Sequence, residues 1–220
     1  HEFGMGACTT SNHFHIGSAG AWTRMAVEQG FVGMAMSAHR NRPDPNQPVS
    51  HLPNSSPISI GFPAGSQPPF ILDMGGAMLP YREDLIREMP NSYFKALGIS
   101  TAIQVFSGVL AGINRERLKP PQTKWTSNQG AFLCAWDVKR FMDFEEYTAE
   151  MDHFIEGARQ MQPFPGFDCA ELPGGMEWQW ERENRERGIP LGDENCEELE
   201  VLAAEVGVEC GYDQFEVTRF

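Results

Sequence analysis

"ISIGFPAGSQPPFILDMGG", residues 58–76, is the stretch that says most about the fold. Two short β-rich runs, 58–62 and 69–74, flank the link "PAGSQP", and its prolines and glycine predict a hairpin-like connection. The second run ends in Asp73-Met74-Gly75-Gly76. This is not the G-x-G-x-x-G fingerprint of a strand–glycine–helix nucleotide-binding unit, so the stretch argues against a Rossmann domain.

The rest of the chain mixes helices with strands. Residues 31–37 and 130–136 read as buried strands, whereas 21–30 and 144–158 have helical periodicity, the latter behind an N-cap at Asp143. A last helix starts near Asp193 and is expected to bury four apolar residues: Leu199, Leu202, Ala203 and Val206. Because strands and helices do not alternate strictly, we expect an α/β or α+β domain rather than a doubly wound sheet.

Composition narrows the class of function. The formal net charge of -13 over 220 residues argues against nucleic acid or an anionic membrane as the main partner. The five cysteines are odd in number, widely spaced and without a C-x-x-C pair, which favours a reducing, cytoplasmic setting and no metal site.

One long apolar run, residues 93–113, has the length of a membrane span. It carries Lys95, Ser100, Thr101, Gln104 and Ser107, whose polar groups would be costly in lipid. We therefore expect a buried helix packed through its small residues, and no membrane span.

The run "SNHFH", residues 11–15, holds the first candidate for chemistry. A neutral imidazole at His13 can take and return a proton near working pH, with Ser11 or Asn12 orienting the ring. The same residues also fit a histidine bonded in a tight turn, or a metal pair with His15. A histidine-metal hydrolase would need further ligands, and His39 and His51 have no motif spacing.

Three other stretches are ambiguous by themselves. Asp73, after a strand and before two glycines, could orient a ribose, a nicotinamide amide or the histidine, or simply belong to a turn. Lys95 could hold a phosphate at the start of its helix, or only snorkel there. Gly174 and Gly175 could let the backbone approach a ligand or form a turn.

Taken in order, these stretches resemble the malate/L-lactate dehydrogenase family of the second, non-Rossmann type, which also contains ureidoglycolate and sulfolactate dehydrogenases. The stretches that carry the resemblance are "SNHFHIGSAG", "LPNSSPISIGFP", "PPFILDMGGAML", "YFKALGISTAIQVFSGVLAGI", "QGAFLCAWDVKRF" and "PFPGFDCAELPGGMEWQWERENRERGIPL". The resemblance runs through nearly the whole chain. It implies a largely antiparallel sheet wrapped by helices, like that of sulfolactate dehydrogenase. It also implies one oxidoreductase domain, with a cofactor-binding core at 1–135 and a helical part at 136–220.

The resemblance further implies hydride transfer between NAD or NADP and a small 2-hydroxy or 2-oxo acid, in a homodimer with active sites near the subunit interface. His13 stands where the family's S-N-H-F motif carries the proton-transferring histidine. The positions matching the family's cofactor contacts are Asp73, Met74, Gly75, Lys95, Gly174 and Gly175. Ser37 falls close to a position that touches substrate.

The chain departs from the family in several places. "NSSP", with Ser55 and Ser56, replaces G-T-N-P, and "PGGM" replaces P-G-E. The family also implies a segment before S-N-H-F that bears a second histidine and a carboxylate-gripping arginine; we expect that segment on an N-terminal partner chain, outside these 220 residues, or lost. Arg24, Arg40 and Arg42 are the nearby arginines. These departures keep an alternative open, namely a non-catalytic, cofactor-binding or structural subunit.

Overall fold

A computed structural model describes residues 2–49, 56–76, 79–115 and 128–210. The chain separates into two compact units, one running to Met176 and the other beginning at Glu177. The single-domain organisation, with its division between 135 and 136, stays a prediction.

The first unit is built on one five-stranded sheet. Its strands are β1 (Met5–His13), β2 (Phe31–His39), β3 (Pro57–Phe62), β4 (Phe70–Gly75) and β5 (Gln129–Asp137), in the spatial order β1-β5-β2-β3-β4. Every neighbouring pair is antiparallel. The expected hairpin is β3–β4, in which Ile60 pairs with Leu72. The mixed fold with an antiparallel sheet is therefore confirmed.

Helix α1 (Ala19–Val27) covers one face of this sheet. Glycine lets it approach closely, because a Cβ at Gly33 of β2 would lie 2.8 Å from the Ala26 Cβ. The buried hydroxyls of Thr23 and Ser59 then hydrogen-bond across the contact at 2.7 Å. Gly30, with φ of 78°, follows the helix as its sequence predicted.

The opposite face is covered by α3 (Pro90–Gln104), which follows the short α2 (Glu83–Glu88) and continues as a π-helical turn, Val105–Val109. Ile103 packs with Met36 and Ile58 in the core. Small and polar residues of this segment, Ser100, Gln104, Ser107 and Gly108, are buried, as the sequence indicated. The prediction that the whole helix is buried is wrong, because Phe94, Val109 and Leu110 are 69%, 62% and 60% exposed. Within the described ranges, no helix combines the length and apolar character needed to cross a membrane.

A turn of 3₁₀ helix (Val138–Arg140) leads to α4 (Phe144–Arg159). The predicted N-cap is confirmed: the Asp143 carboxylate accepts hydrogen bonds from the amides of Glu145 and Glu146. On the other side of the helix, Asp152 accepts three backbone N–H groups from the β3–β4 turn. Asp152 thereby binds α4 to the tip of the β3–β4 hairpin.

Helices α5 (Gly175–Arg187) and α6 (Asp193–Val206) follow. The position of α6 and its end at Gly207, with φ of 73°, match the sequence prediction. The predicted burial of its apolar stripe is wrong except at Ala203, since Leu202 and Val206 are 52% and 63% exposed. Helical periodicity predicts which residues share a face but not what covers that face.

Candidate active site

His13 ends strand β1 and is half-buried. Both ring nitrogens are shielded from solvent and have no hydrogen-bond partner among the described residues. Burial lowers the pKa of His13 below its ordinary value, because the charged imidazolium is desolvated there. The ring is therefore neutral at neutral pH, with two unsatisfied nitrogens that a ligand could engage.

A β-bulge determines the face of the sheet to which His13 belongs. The pairing of β1 with β5 shifts between Ser11, opposite Gly130, and His13, opposite Gln129. Asn12 is the extra residue and takes a left-handed conformation, with φ of 61°. His13 consequently lies beside Gln129, whose other neighbour, on β2, is His39.

Polar side chains continue this row across the sheet. Gln129 and Ser37 are only 5% and 2% exposed. The Ser37 hydroxyl donates to the Gly130 carbonyl at 3.0 Å and lies 3.4 Å from Oε1 of Gln129. In this arrangement Ser37 supports Gln129 beside the histidine. Its expected contact with substrate stays a prediction.

Sequence reasoning did not select Gln129. It stands just before the strand "GAFLCAW", and only the β1–β5 register brings it next to His13. Of the other histidines, His39 flanks Gln129 from β2, with its Nε2 3.4 Å from Nε2 of Gln129. His15 sits in the following loop, where its Nδ1 accepts the Gly17 N–H, and His51 lies outside the described residues.

Asp73 serves the amino end of α1. Its Oδ2 accepts hydrogen bonds from the Ser18 hydroxyl at 2.6 Å and the Gly20 amide at 2.9 Å. A carboxylate at this position satisfies free amide groups and the helix dipole. Its Oδ1 accepts nothing from the described part of the chain. Asp73 therefore has a structural role through Oδ2, while Oδ1 is available to a ligand.

The two residues after Asp73 differ in their surroundings. Met74 packs against the core cluster of Met36, Ile58 and Ile103, on the α3 face. Gly75 is exposed, and a Cβ built on it would meet nothing within 4 Å. The next residue, Gly76, is held to α3, because the Ser100 hydroxyl donates to its carbonyl at 2.5 Å. Open space at the end of β4 thus begins at Gly75.

Lys95 lies exposed in the second turn of α3. It stands five residues before Ser100, or about 7.5 Å along the helix axis. Ser100 contacts Gly76 at the end of β4, and five residues turn the helix by about 140°, so the exposed Lys95 side chain leaves α3 on a different side from Ser100. Lys95 therefore lies on the α3 face, opposite to the face that carries Asp73.

Gly174 and Gly175 are explained by contacts within the protein. Gly174 has φ of 92°, and a Cβ on it would lie 2.9 Å from the Ile71 amide nitrogen. The preceding carbonyl, of Pro173, accepts that Ile71 N–H at 3.0 Å. A Cβ on Gly175 would overlap the Glu171 side chain. The glycine pair lets this loop cap the edge strand β4, and its expected cofactor contact stays a prediction.

The altered motif "NSSP", residues 54–57, lies partly within the described residues. Ser55 of "NSSP" lies outside the described residues, but Ser56 is fully buried. Its hydroxyl donates to Oε1 of Gln104 at 3.1 Å, and Gln104 donates in turn to the His39 carbonyl at 2.8 Å. Gln104 thus links α3 to the end of β2 and to Ser56, which precedes β3.

A groove of about 330 Å³ lies between α1 and the sheet, lined by Trp22, Met25 and Leu133. It belongs to the far end of β1, around Cys8, and does not include His13. Its lining is almost wholly apolar. We place the candidate active site at His13, a half-buried titratable side chain whose ring nitrogens have no hydrogen-bond partner among the described residues.

Comparison with known proteins points to one family of dehydrogenases. The malate/L-lactate dehydrogenase family model matches residues 1–83 and 75–200. Malate dehydrogenase of Pyrococcus horikoshii is 24% identical over 94% of this chain and 68% of its own length. L-sulfolactate dehydrogenase of Methanocaldococcus jannaschii is 22% identical over 93% of this chain and 68% of its own length.

Solved structures show the same fold. The Pyrococcus horikoshii malate dehydrogenase structure aligns with a TM-score of 0.77 and 25% identity, over 94% of this chain and 67% of that one. The Methanocaldococcus jannaschii sulfolactate dehydrogenase structure aligns with a TM-score of 0.65 and 21% identity, over 94% and 68%.

Proposed function

Because this chain belongs to the malate/L-lactate dehydrogenase family, we propose that it transfers a hydride between NAD or NADP and a small 2-hydroxy or 2-oxo acid. The observation that supports this most is His13, a neutral, half-buried imidazole whose two nitrogens have no partner in the described part of the chain. It lies in the S-N-H-F motif that carries the resemblance.

His13 acts as the proton carrier in this proposal. In the oxidising direction the neutral ring accepts the hydroxyl proton of the 2-hydroxy acid. In the reducing direction the protonated ring returns it to the carbonyl oxygen. The nicotinamide cofactor, when bound, supplies or accepts the hydride. A base held neutral at working pH suits this task, because general-base catalysis needs a free lone pair.

Three described features fit a dinucleotide. Oδ1 of Asp73 accepts no hydrogen bond from the described residues and is available to a hydroxyl or amide, Gly75 borders open space, and Lys95, on the opposite face of the sheet, offers an exposed cation to a phosphate. His13 on β1 and Asp73 on β4 lie four strands apart across the sheet and four residues apart along it, or about 23 Å. A ligand contacting both must be extended, as a dinucleotide is. Met74, Gly174 and Gly175 are kept as weaker candidates for cofactor contact.

We further propose that the chain forms a homodimer in the cytoplasm. Large apolar side chains on the segment after α3 support association, since Val109 and Leu110 are about 60% exposed. The cysteines in the described ranges are unpaired, which suits a reducing compartment.

A second candidate function is a cofactor-binding subunit without turnover of its own, completed by an N-terminal partner chain. Ser37 favours it, because this expected substrate residue is buried and makes its hydrogen bonds inside the protein.

Fluorescence titration with NADH and NADPH, followed by turnover with a panel of 2-oxo acids, separates these functions. The dehydrogenase proposal expects saturable binding and turnover, and expects His13→Ala to remove turnover while cofactor binding remains. Binding without turnover, with or without His13, favours the second function. Wild-type turnover by His13→Ala would rule out the proton-carrier role.

Lys95→Ala tests the cofactor site separately. Losing a charged hydrogen bond should weaken dinucleotide binding by about 1.5–3 kcal/mol. Lys139→Ala is the matched control, because Lys139 lies over the Phe144 ring at 5.6 Å, away from α3. Equal affinities in the two variants would remove Lys95 from the site.

A further inference from the structure

The bulge at Asn12 decides which face of the sheet carries His13. Continuing the register of Ser11 and Gly130 without an extra residue would put Asn12 opposite Gln129. His13 would then share the face of Ser11 and Gly130, because side chains alternate with a period of two. On that face, a Cβ on Gly130 would already overlap the Ser107 carbonyl and Ile113. The left-handed residue instead keeps His13 beside Gln129.

Arg40 holds this bulge from the end of β2, which lies two strands from β1 in the sheet. It follows β2 directly, and its main-chain amide donates to the Asn128 carbonyl at 2.6 Å. Its Nη2 donates to Oδ1 of Asn12 at 2.9 Å, while its Nε donates to the Ile113 carbonyl at 2.5 Å. The guanidinium thus ties the bulged residue to the segment that follows α3.

The fork geometry of arginine suits this bridge. A planar guanidinium presents Nε and Nη2 side by side, so one group can satisfy two acceptors in fixed directions. Both acceptors are oxygens of the protein, and both bonds are partly buried. Asparagine is among the residues that tolerate the left-handed region, and a bond to its side chain restricts its freedom there.

We propose that Arg40 is a positioning residue for His13, which it directs to the Gln129 face by clamping the Asn12 bulge. The inference rests on the proposed role of His13. It assigns Arg40 no contact with substrate or cofactor. The effect of Arg40 on the reaction therefore passes entirely through the conformation of Asn12.

Glycine at position 12 provides the test. Glycine enters the left-handed region without steric cost and has no side chain for Arg40 to hold. We compare Arg40→Gln, Asn12→Gly and the double variant, with Arg42→Gln as matched control, since exposed Arg42 donates to the Asn114 carbonyl. The readouts are kcat and KM with a 2-oxo acid, and an NMR titration of the His13 ring, which needs no turnover.

We expect Arg40→Gln to lower kcat by about 10- to 100-fold with KM little changed, as for a misplaced catalytic group. We also expect the His13 resonances and titration midpoint to move. In the Asn12→Gly background the same substitution should change kcat by less than about twofold, and Arg42→Gln should resemble wild type.

Each contrary result is informative. A rise in KM of the same size in both backgrounds would show that Arg40 grips substrate, and would overturn the proposal. His13 resonances unchanged by Arg40→Gln would overturn it as well. If His13→Ala keeps full activity, the proton-carrier role of His13 fails, but the His13 titration still decides whether Arg40 positions that ring.

Discussion

Replacing Asp152 by asparagine tests how α4 holds the β3–β4 hairpin. In the wild-type protein, Oδ1 of Asp152 accepts the Gly65 and Gln67 amides at 2.8 and 3.1 Å. Its Oδ2 accepts the Ser66 amide at 2.7 Å and the Ser66 hydroxyl at 2.8 Å. An asparagine has only one acceptor oxygen. One pair of these hydrogen bonds is therefore lost, and an amide NH₂ faces a backbone N–H.

The magnitude follows from the bonds that are lost. Hydrogen bonds to charged groups contribute about 1.5–3 kcal/mol each, and the partial exposure of this site reduces that value. We expect Asp152→Asn to lower the free energy of unfolding by about 2 kcal/mol. Burial acts to raise the pKa of Asp152, but the bonds from Ser66, Gln67 and Gly65 together outweigh it, so the pKa lies below its usual value.

This sign fixes the pH dependence. A carboxyl group whose pKa is lower in the folded state stabilises the fold above its unfolded pKa, about 3.9, and loses that contribution as pH falls through the folded pKa. The difference between wild type and variant should therefore be constant from about pH 7 to pH 5 and shrink below about pH 4.

Urea unfolding at several pH values is the assay. Glu150→Gln, an exposed carboxylate on the same helix, removes a charge without touching the hairpin and serves as control. The reasoning is refuted if the two variants agree within about 0.5 kcal/mol at pH 7, or if the Asp152 difference does not shrink in acid.

Three further predictions concern backbone strain, an unpaired hydroxyl and the candidate base. Gly174→Ala should destabilise the fold by about 1–3 kcal/mol, because its φ is 92° and a Cβ would press on the Ile71 amide. Gly157→Ala, in open space on α4, should instead stabilise the fold. Thermal melting that ranks the two variants in the other order contradicts this prediction. Tyr147→Phe should be neutral or stabilise by about 1 kcal/mol, since the hydroxyl is buried without a partner among the described residues; a clear loss in urea unfolding would show a hidden partner. Because burial lowers the pKa of His13, kcat/KM for oxidation of a 2-hydroxy acid should fall only as pH drops below that lowered pKa. The kcat/KM for reduction should fall as pH rises above the same pKa. Midpoints of either pH profile above about 6.5 would contradict the assignment of His13 as the base.

Local signals predicted most of the elements correctly. The hairpin β3–β4 follows from two apolar runs and a turn-forming link, and α4 from apolar residues spaced three and four apart behind Asp143. Both are properties of short windows, in which turn chemistry and side-chain periodicity act within a few residues. The same windows did not predict β1, because an edge strand exposed along most of its length carries no buried alternation.

The candidate site was predicted only in part. His13 stands out because S-N-H-F is a recognisable motif, and Asp73 because two glycines follow a strand. The structure adds that Asp73 already serves the amino end of α1, and that Gly174 approaches Ile71. A carboxylate or a glycine looks the same in sequence whether its neighbour is a ligand or the protein's own backbone.

The sequence by itself determined four of the five strands, the positions of α1, α4 and α6, the absence of a Rossmann fingerprint, and the residue able to carry a proton. Only the tertiary structure decided that β1 lies against β5, that a bulge at Asn12 turns His13 toward Gln129, and that Arg40 reaches that bulge. The reason is physical. Helical and turn signals act between residues close in the chain, whereas His13 and Gln129 meet through a strand register set by packing over the whole sheet.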